Sequence, residues 1–291
     1  MRVVVTGATG FVARHLLPAL AARDYEVVAL GHDVARMPDV QGVRLVECDL
    51  SRHVDDLDVG AFDAVVHMAQ ANVPFPDSAR LLFRVNTAST HDLLELAREA
   101  SAARFVFTSS GSVYGLGEGR VAEDDPRRAG DFYAATKQMA ESAVLAYRPY
   151  VATSILRLFA PYGPGQRGRL VPALVQRVRD GQPVTLVEGG RPRMAPIFVR
   201  DVAAVILAAL DAPPSAHQLL NVAGDEEVSI RDLAERIGEV LGREPQFEEA
   251  DGPATGDLLA DNRRMHDLLG DAELVPLRDG LAATVAAEVP V

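Results

Sequence analysis

Residues 2–13 read RVVVTGATGFVA, and this stretch decides the fold of the chain. A short β-branched apolar run ends in a turn that contains two glycines, and helical periodicity begins directly after it. The first glycine permits a tight turn, and the second lets the backbone come close to a phosphate at the helix N-terminus. The stretch therefore predicts the first βα unit of a doubly wound, Rossmann-type α/β fold.

The same alternation continues through the first half of the chain. Continuous apolar runs of this kind are typical of a parallel sheet that is buried on both faces. Helical periodicity separates them, so the pattern predicts β-α-β connections. Strands are predicted at Arg2–Thr6, Glu26–Leu30, Val43–Glu47, Ala64–His67, Arg104–Thr108 and Ala152–Leu158, and helices at Phe11–Ala22, Ser78–Ala100 and Phe132–Tyr147.

The sequence changes character after Leu158, where a Pro- and Gly-rich stretch, Pro161–Gly168, replaces this alternation. The elements that follow indicate a second, smaller α/β lobe. They are a helix at Leu170–Asp180, a strand at Val184–Val187, and a helix at Ser229–Leu241 with Ser229 as N-cap and Gly242 after its end.

Two further segments, Ile197–Leu210 and His217–Val222, are expected to return to the large sheet, so the smaller lobe is built from discontinuous C-terminal pieces. The predicted dinucleotide-binding domain is residues 1–160 with about 195–222. The predicted substrate-binding lobe is residues 161–194 and 223–291.

Composition and charge restrict the partners. The chain has 291 residues, of which 48% are hydrophobic, enough for one large domain or two coupled lobes. Its formal net charge of -12 disfavours nucleic acid and anionic membrane, because both would be repelled at long range. No apolar run of about 18 residues predicts a membrane span. A small-molecule ligand is therefore expected.

The chain contains a single cysteine and a single lysine, and both are informative. Cys48 has no internal disulfide partner, and no signal peptide is recognised at the N-terminus, so we expect a cytoplasmic protein. Lys137 is the only lysine among 29 Lys and Arg residues. Because every other basic residue of the two types is arginine, the position of Lys137 is expected to require a lysine side chain specifically.

The turn between the first strand and the first helix is the expected phosphate site. Backbone N–H groups at a helix N-terminus can donate to a pyrophosphate, and Ala13 is small enough for the place of a third glycine. A Gly-x-x-Gly turn also occurs as plain structure, but its position in a βαβ frame favours a dinucleotide. The predicted contacts are Gly7, Thr9, Gly10, Phe11 and Val12.

The residues after the second strand leave the choice between NAD and NADP open. Gly31 occupies the usual place of an acid that binds the adenosine ribose. Asp33 could bind the ribose hydroxyls and favour NAD, whereas His32 or Arg36 could face a 2'-phosphate and favour NADP. Asp49, after the third strand, could bind the adenine amine or could be an ordinary loop carboxylate.

Tyr133 and Lys137 are four residues apart in a predicted helix, so their side chains share one face. An ammonium there favours the tyrosinate and is expected to lower the phenol pKa from about 10 toward the working range. Such a tyrosine can exchange a proton with a substrate oxygen while hydride moves. A solvated surface pair would also give this spacing, but arginine would serve that purpose equally well.

Hydroxyl groups cluster at the end of the fifth strand, within Phe107–Gly115. Ligands of open α/β sheets bind at the carboxyl ends of the strands. We therefore expect Ser110 to hydrogen-bond the same substrate oxygen as Tyr133. A turn rich in Ser and Gly is also common as structure alone.

Together these residues resemble the extended short-chain dehydrogenase/reductase family, in its NAD-dependent epimerase/dehydratase group typified by UDP-galactose 4-epimerase. The resemblance covers nearly the whole chain. It includes Thr6-Gly7-x-x-Gly10, Asp49-Leu50, His67-Met68-Ala69, Asn86, Ser110, Tyr133-x-x-x-Lys137, Leu156-Arg157, Tyr162–Gly165 and Val199–Ala203.

The resemblance implies hydride transfer at a carbinol carbon of a sugar, usually one carried on a nucleoside diphosphate. It implies Tyr133 as the acid/base, Lys137 as its partner and ribose ligand, and Ser110 as the donor to the substrate oxygen. A homodimer through the helices Ser78–Ala100 and Phe132–Tyr147 is implied as well. Further residues implied at the cofactor are Leu50, Met68, Ala69 and Asn86, with Asn86 at the floor of the site.

Departures from the family pattern narrow the expected activity. Gly111 and Ser112 stand where 4,6-dehydratases carry the Asp-Glu pair for water elimination, so dehydration by that mechanism is not expected. Ala160 and Ala254 stand where the family has diphosphate contacts. Either other residues replace them, or the substrate is not a typical nucleotide sugar. The residues expected at the substrate are Ser112, Arg167 and Arg193, with Arg169 and Arg191 as further possible replacements.

A nucleotide-sugar epimerase is the leading hypothesis. The alternative is an NAD(P)H-dependent ketoreductase that acts on a keto-deoxysugar or on a non-nucleotide substrate. A third hypothesis is a dinucleotide-binding protein without catalysis, which the intact set of Ser110, Tyr133 and Lys137 argues against. No metal site is predicted.

Overall fold

The computed structural model describes residues 1–52, 54, 57–213, 218–252 and 256–287. Its internal contacts divide the chain into two units. Unit 1 is Met1–Gly115, Pro126–Arg157 and Ala203–Leu220, and unit 2 is Leu116–Asp125, Leu158–Val202 and Asn221–Val291. This division differs from the predicted domain bounds mainly at 116–125 and 195–202, which belong to unit 2.

The elements are numbered in chain order. The strands are β1 (Arg2–Thr6), β2 (Glu26–Gly31), β3 (Val43–Glu47), β4 (Ala64–His67), β5 (Arg104–Ser110), β6 (Arg120–Val121), β7 (Ala152–Leu158), β8 (Pro161–Tyr162), β9 (Val184–Leu186), β10 (Ile197–Phe198), β11 (Gln218–Val222), β12 (Phe247–Glu249) and β13 (Leu259–Ala260). The helices are α1 (Ala13–Ala21), α2 (Ala79–Phe83), α3 (Ser89–Glu99), α4 (Phe132–Ala146), α5 (Leu170–Asp180), α6 (Val199–Asp211), α7 (Ile230–Leu241), α8 (Arg263–Leu269) and α9 (Leu277–Ala287).

Seven of the strands seen in the described part of the chain form one sheet in the order β11-β7-β5-β4-β1-β2-β3. β1 pairs in parallel with β2 on one side and with β4 on the other. Its central residues Val3, Val4 and Val5 have no solvent exposure, as expected for a strand covered on both faces. The strand order reverses between β1 and β4, and the carboxyl ends of strands at such a reversal are where open α/β sheets bind ligands. The doubly wound prediction is confirmed.

The predicted single helix Ser78–Ala100 is wrong at its centre. Between α2 and α3 the chain forms a π-helical turn, Arg84–Ala88, in which Asn86 is completely buried. The Asn86 amide accepts from Ala71 N at 2.7 Å and donates to Ala71 O at 2.9 Å. A π turn is wider than an α turn and often marks a functional site. Tertiary contacts of Asn86 thus override a helical periodicity that looked continuous.

Helix α4 begins where the sequence provides a cap. Asp131 accepts a hydrogen bond from Ala134 N at 2.7 Å through its Oδ1, which satisfies a free N–H of the first turn. The helix then carries Tyr133 and Lys137 on consecutive turns. Its first residue, Phe132, is the predicted one.

Unit 2 consists of short parallel strand pairs and amphipathic helices. The pairs are β8 with β10, β9 with β12, and β6 with β13. Helix α7 has the predicted Ser229 cap, which forms a capping box with Asp232, and ends at Gly242 in the left-handed conformation.

The two segments that were expected to return to the large sheet behave differently. For Ile197–Leu210 the prediction is wrong at the start, because Ile197–Phe198 pairs with Pro161–Tyr162 in unit 2, whereas residues 203–210 do belong to unit 1. Gln218–Val222 does join the large sheet, next to β7. His217 and Ala254 lie outside the described residues. Within the described part, no helix is long and apolar enough to cross a membrane.

Gly7 and Gly42 provide a matched pair for testing the turn after β1. Both have positive φ, +75° and +82°, but a Cβ on Gly7 would lie 2.8 Å from Ala69 N, whereas a Cβ on Gly42 would meet nothing within 4 Å. We expect Gly7→Ala to lower the free energy of unfolding by about 3 kcal/mol, because strain and a backbone collision add. Gly42→Ala should cost about 1 kcal/mol. Equal losses in chemical denaturation would contradict the close approach of the two backbones.

Candidate active site

Ser110 ends β5 and begins a short 3₁₀ turn, Gly111–Tyr114. Its Oγ accepts hydrogen bonds from Ser112 N at 3.2 Å and from Ser112 Oγ at 2.9 Å. A hydroxyl has two acceptor lone pairs and one proton to donate. Ser112 therefore orients the Ser110 hydroxyl as a donor, while the predicted contact of Ser112 with substrate stays a prediction.

Lys137 is completely buried within unit 1. Its Nζ donates to Thr108 O at 2.9 Å and lies 4.8 Å from the centroid of the Phe107 ring. Burial lowers the pKa of Lys137 from 10.5 to about 7, and the opposing effect of the Glu141 carboxylate is smaller. The single lysine is thus an ammonium that can lose its proton near neutral pH.

Glu141 is a buried carboxylate that sequence reasoning missed. Its Oε1 accepts from Ser109 Oγ at 2.6 Å and from Arg157 Nε at 2.9 Å. Its Oε2 accepts from Arg157 Nη2 at 2.7 Å and from Arg127 Nη1 at 3.1 Å. A buried charge requires such partners, and removal of one typically costs about 3–5 kcal/mol. The only sequence signal was its position four residues after Lys137 on the same helix face.

His67 is a second buried group close to this centre. Burial, with a smaller effect of the Lys137 charge, lowers the His67 pKa to about 3, so the ring is neutral. Its Nδ1 lies 2.7 Å from Thr6 Oγ1 and its Nε2 lies 3.0 Å from Thr90 Oγ1. Because the Thr90 hydroxyl donates to Asn86 O, we assign the proton of the ring to Nε2. His67 therefore connects strands and helices rather than moving protons.

Tyr133 is half-buried, and its hydroxyl donates to Gln70 Oε1 at 2.8 Å. Gln70 follows β4 in the segment His67-Met68-Ala69-Gln70, at the carboxyl end of the sheet. Sequence reasoning missed Gln70, and its only signal was this position. The structure therefore shows that the Tyr133 phenol has a polar partner, Gln70, in the candidate site.

Asn86 lies behind these residues. Besides its two bonds to Ala71, its Nδ2 donates to Thr136 Oγ1 at 3.0 Å on α4. The side chain thus holds together the loop after β4, the π turn and the tyrosine helix. Its predicted contact with the cofactor stays a prediction.

The turn after β1 fits a dinucleotide phosphate. Gly10 N donates to Gly7 O at 2.8 Å, and a Cβ on Gly10 would lie only 2.9 Å from that oxygen. Met68 N and Ala69 N each donate to Thr6 Oγ1 at 3.2 Å, which brings the end of β4 against the turn. Because Gly7 and Gly10 carry no side chain, a phosphate can approach the backbone of this turn, which leads into the N-terminus of α1.

The other residues of the turn are placed around it. Val12 precedes α1, Phe11 packs edge-on to His15 at 5.6 Å between ring centroids, and Thr9 borders Gly31. Ala8 N and Gly10 N already donate to Leu30 O and Gly7 O, so a phosphate would be bound by other backbone N–H groups at the start of α1.

After β2 the structure gives Asp33 a local role. Asp33 caps the 3₁₀ turn Val34–Arg36 by accepting from Ala35 N at 3.1 Å. His32 and Arg36 are exposed. A Cβ on Gly31 would lie 2.9 Å from Met37 Cε, so Met37 occupies the space that a longer side chain at position 31 would need.

After β3, Asp49 lies on the surface and Leu50 lies in the core. Hydrogen bonds from Ser51 lower the pKa of the exposed Asp49 carboxyl, and Arg52 lies 3.5 Å away. Leu50 is buried in the hydrophobic cluster beneath the sheet. The adenine contact of Asp49 and the cofactor contact of Leu50 stay predictions.

The expected substrate residues of unit 2 are exposed arginines. Arg167 is exposed on the Pro- and Gly-rich stretch. Arg193 pairs with Glu227, which also binds Arg120 at 2.7 Å. Part of the Arg193 charge is therefore already neutralised. Among the described residues, no group of three or more His, Cys, Asp or Glu side chains is arranged to hold a metal ion.

Comparison with known proteins agrees with this geometry. Residues 3–223 match the model of the NAD dependent epimerase/dehydratase family, which is more than half of the chain. The chain belongs to this family. It is therefore an enzyme of the extended short-chain dehydrogenase type, as the sequence resemblance implies.

Three relatives of this family member show how far the similarity extends. A dTDP-4-dehydro-6-deoxy-D-allose reductase from Streptomyces bikiniensis is 31% identical over 97% of this chain and 94% of its own length. A UDP-glucose 4-epimerase from Mycolicibacterium smegmatis is 30% identical over 98% and 97%. The structure of MoeE5 in complex with UDP-glucuronic acid and NAD has a TM-score of 0.86 at 28% identity, covering 99% of this chain and 98% of MoeE5.

The buried lysine of this epimerase/dehydratase family member makes stability depend on pH. Between about 7 and 10.5, Lys137 is neutral in the folded chain and protonated in the unfolded chain. The unfolded chain then binds the additional proton, so stability rises with pH across this window. Relative to Lys137→Met, the free energy of unfolding should rise by up to about 1.4 kcal/mol per pH unit. Urea denaturation of both ligand-free proteins at pH 7, 8 and 9 measures it, and a constant difference would contradict the burial of the ammonium.

Proposed function

We propose that this chain is an NAD-dependent nucleotide-sugar epimerase that works by hydride transfer at a carbinol carbon. The observation that carries the proposal is that α4 carries Tyr133 and, four residues later on the same face, the only lysine of the chain, whose side chain is completely buried. Ser110 supports it, because Ser112 orients the Ser110 hydroxyl as a donor. The activities of the two relatives, a UDP-glucose 4-epimerase and a dTDP-sugar reductase, support it.

Each of the three residues has a separate task in the proposed reaction. As a phenolate, Tyr133 takes the proton from the substrate hydroxyl while hydride leaves the carbinol carbon, and the resulting phenol returns the proton when the hydride comes back. In its protonated form, Lys137 stabilises the phenolate by its charge, and its side chain binds the cofactor ribose. Ser110 donates to the same substrate oxygen. When bound, NAD supplies a hydride acceptor that can return the hydride to the opposite face of the sugar.

The cofactor contacts are proposed in unit 1, which makes it the dinucleotide-binding domain. The pyrophosphate is held by the turn from Gly7 to Val12, and Asp33 and Asp49 bind the adenosine half. The NAD present in the MoeE5 structure and the NAD-dependent family support NAD over NADP. Leu50, Met68, Ala69 and Asn86 form the rest of the cofactor surroundings.

Unit 2 is proposed as the substrate-binding lobe, with a sugar nucleotide as its ligand. Arg167 and Arg193 supply positive charge for the diphosphate, and Ser112 contacts the sugar. The exposed position of Arg167 supports this role, because its guanidinium is accessible to a ligand. We also place the enzyme in the cytoplasm, where its lone thiol, Cys48, would stay reduced.

A ketoreductase that acts on a keto-deoxysugar is the second candidate. The 31% identity to a dTDP-4-dehydro-6-deoxy-D-allose reductase favours it. The same Tyr133, Lys137 and Ser110 would then protonate a ketone oxygen once, and the reduced cofactor would be consumed. The two candidates differ in whether added cofactor turns over.

The purified protein should carry NAD and interconvert UDP-glucose or a related sugar nucleotide without consuming added NADH. Tyr133→Phe should lower kcat at least about 100-fold, because the proton has no acceptor, and should retain NAD. Tyr150→Phe, at an exposed site, is the control. Nucleotide release on denaturation and chromatography of the sugars measure both results. Consumption of NADH or NADPH with a 4-keto sugar would favour the reductase, and full activity of Tyr133→Phe would overturn both candidates.

A homodimer through the helices around α4 belongs to the same proposal. Three large apolar side chains on these helices are exposed, at 40% for Leu81, 44% for Phe83 and 39% for Met139. Where exposed apolar side chains form a contiguous patch, the patch commonly marks a contact with a partner, and these three lie on the helices of the proposed interface.

Light scattering should therefore give a mass of about twice 31.2 kDa. The double substitution Phe83→Glu with Met139→Glu should give the monomer mass, because two charges cannot be buried without partners. Leu116→Glu, which is exposed and lies outside these helices, should leave the mass unchanged. A wild-type monomer would contradict the expectation.

A further inference from the structure

Gln70 has a backbone that is fixed on both sides. Before it, Met68 N and Ala69 N both donate to Thr6 Oγ1 at 3.2 Å. After it, Ala71 binds the buried amide of Asn86 through both its N–H and its carbonyl, at 2.7 and 2.9 Å. Gln70 is exposed, but these hydrogen bonds fix the position of its backbone and therefore the point from which its side chain extends.

The side chain of Gln70 closes a ring of contacts around Tyr133. Gln70 Oε1 accepts the phenol proton at 2.8 Å. On the other side, Thr136 Oγ1 donates to Tyr133 O at 2.7 Å and accepts from Asn86 Nδ2 at 3.0 Å. Asn86 returns to Ala71, the neighbour of Gln70. Both ends of Tyr133, its main chain and its phenol oxygen, are therefore connected to the same loop.

A carboxamide suits a group that gains and loses a proton. The neutral phenol donates to the amide oxygen, which is the arrangement in the structure. A phenolate accepts from the amide N–H, and rotation of the terminal amide is sufficient to present it. A carboxylate can accept but cannot donate, and an apolar side chain can do neither. Glutamine is thus the side chain of this length that can hold both forms of Tyr133.

We propose that Gln70 is a positioning residue for Tyr133, which holds the phenol oxygen in place and stays hydrogen-bonded to it before and after proton transfer. The inference rests on the proposed function, because it assigns Gln70 to the proton exchange of Tyr133. Gln70 acts through Tyr133 and is distinct from Ser110, which is assigned to the substrate oxygen.

Two substitutions whose side chains are about as long as that of Gln70 distinguish hydrogen bonding to Tyr133 from a role in packing alone. Gln70→Met removes the bond that accepts the phenol proton and the proposed bond to the phenolate, and we expect kcat to fall about tenfold with KM changed less than twofold. Gln70→Glu keeps the acceptor but repels the phenolate, so we expect a larger fall, about 100-fold. If Gln70 only fills space, its closer isostere Glu should retain the activity better than Met. Gln41→Met, at an exposed loop of unit 1, is the matched control.

A structural readout does not require turnover. In crystals of the ligand-free protein, the wild-type phenol should lie within hydrogen-bond distance of Gln70. In Gln70→Met the ring should occupy more than one orientation, while the backbone of α4 stays unchanged. An unmoved, fully ordered phenol in Gln70→Met would overturn the inference.

The two readouts distinguish failure of the inference from failure of the proposed function. If the wild type turns over sugar nucleotides and both Gln70 variants match it, the inference is overturned and the proposed function stands. If the wild type shows no hydride transfer but its phenol loses order in Gln70→Met, the proposed function fails and the positioning stands. Changes in kcat together with loss of phenol order support both.

Discussion

The burial of the Lys137 ammonium constrains much of unit 1. An ammonium without solvent requires an acceptor, and here the Thr108 carbonyl and the face of the Phe107 ring provide negative electrostatic potential on the sheet side. Both belong to β5, so the lysine sets how α4 lies against this strand. The end of the same strand carries Ser110, and the tyrosine lies one turn earlier on the same helix. One electrostatic requirement thereby determines the relative positions of the three proposed catalytic side chains.

Two buried polar groups stabilise this arrangement from opposite sides. Glu141 binds Ser109 and two arginines, so the last residues of β5 are attached to α4 by charge-assisted hydrogen bonds. Asn86 attaches the loop after β4 to the same helix through Thr136. The neutral His67 binds Thr6 and Thr90, and its low pKa means that it stays unprotonated at physiological pH. The proposed proton chemistry therefore rests on Tyr133 and Lys137 and not on His67.

Local features were predictable from the sequence, and features made by distant residues were not. Most strands of the large sheet appear within two residues of their predicted bounds, because continuous apolar runs are unambiguous in a parallel sheet. The tyrosine and lysine pair follows from helical spacing alone. The partnership of Glu141 with Arg157 joins residues 16 apart on a helix and a strand, and Gln70 meets Tyr133 across 63 residues. Neither contact leaves a periodic pattern in the sequence, so both become visible only in the folded chain. The same holds for the π turn, whose residues have ordinary helical character.

The π turn at Arg84–Ala88 adds one residue to the path between α2 and α3 without changing which side of α3 faces the core. Its five residues turn the chain through about the same angle as four α-helical residues, because a π turn contains one residue more than an α turn. If one of them were deleted and the segment became a regular helix, Leu93, Leu94 and Ala97, which have no solvent exposure, would keep their places in the core. The deletion would instead disturb Asn86, whose side chain binds Ala71 and Thr136 from this turn. The additional residue therefore serves the candidate site and not the packing of α3.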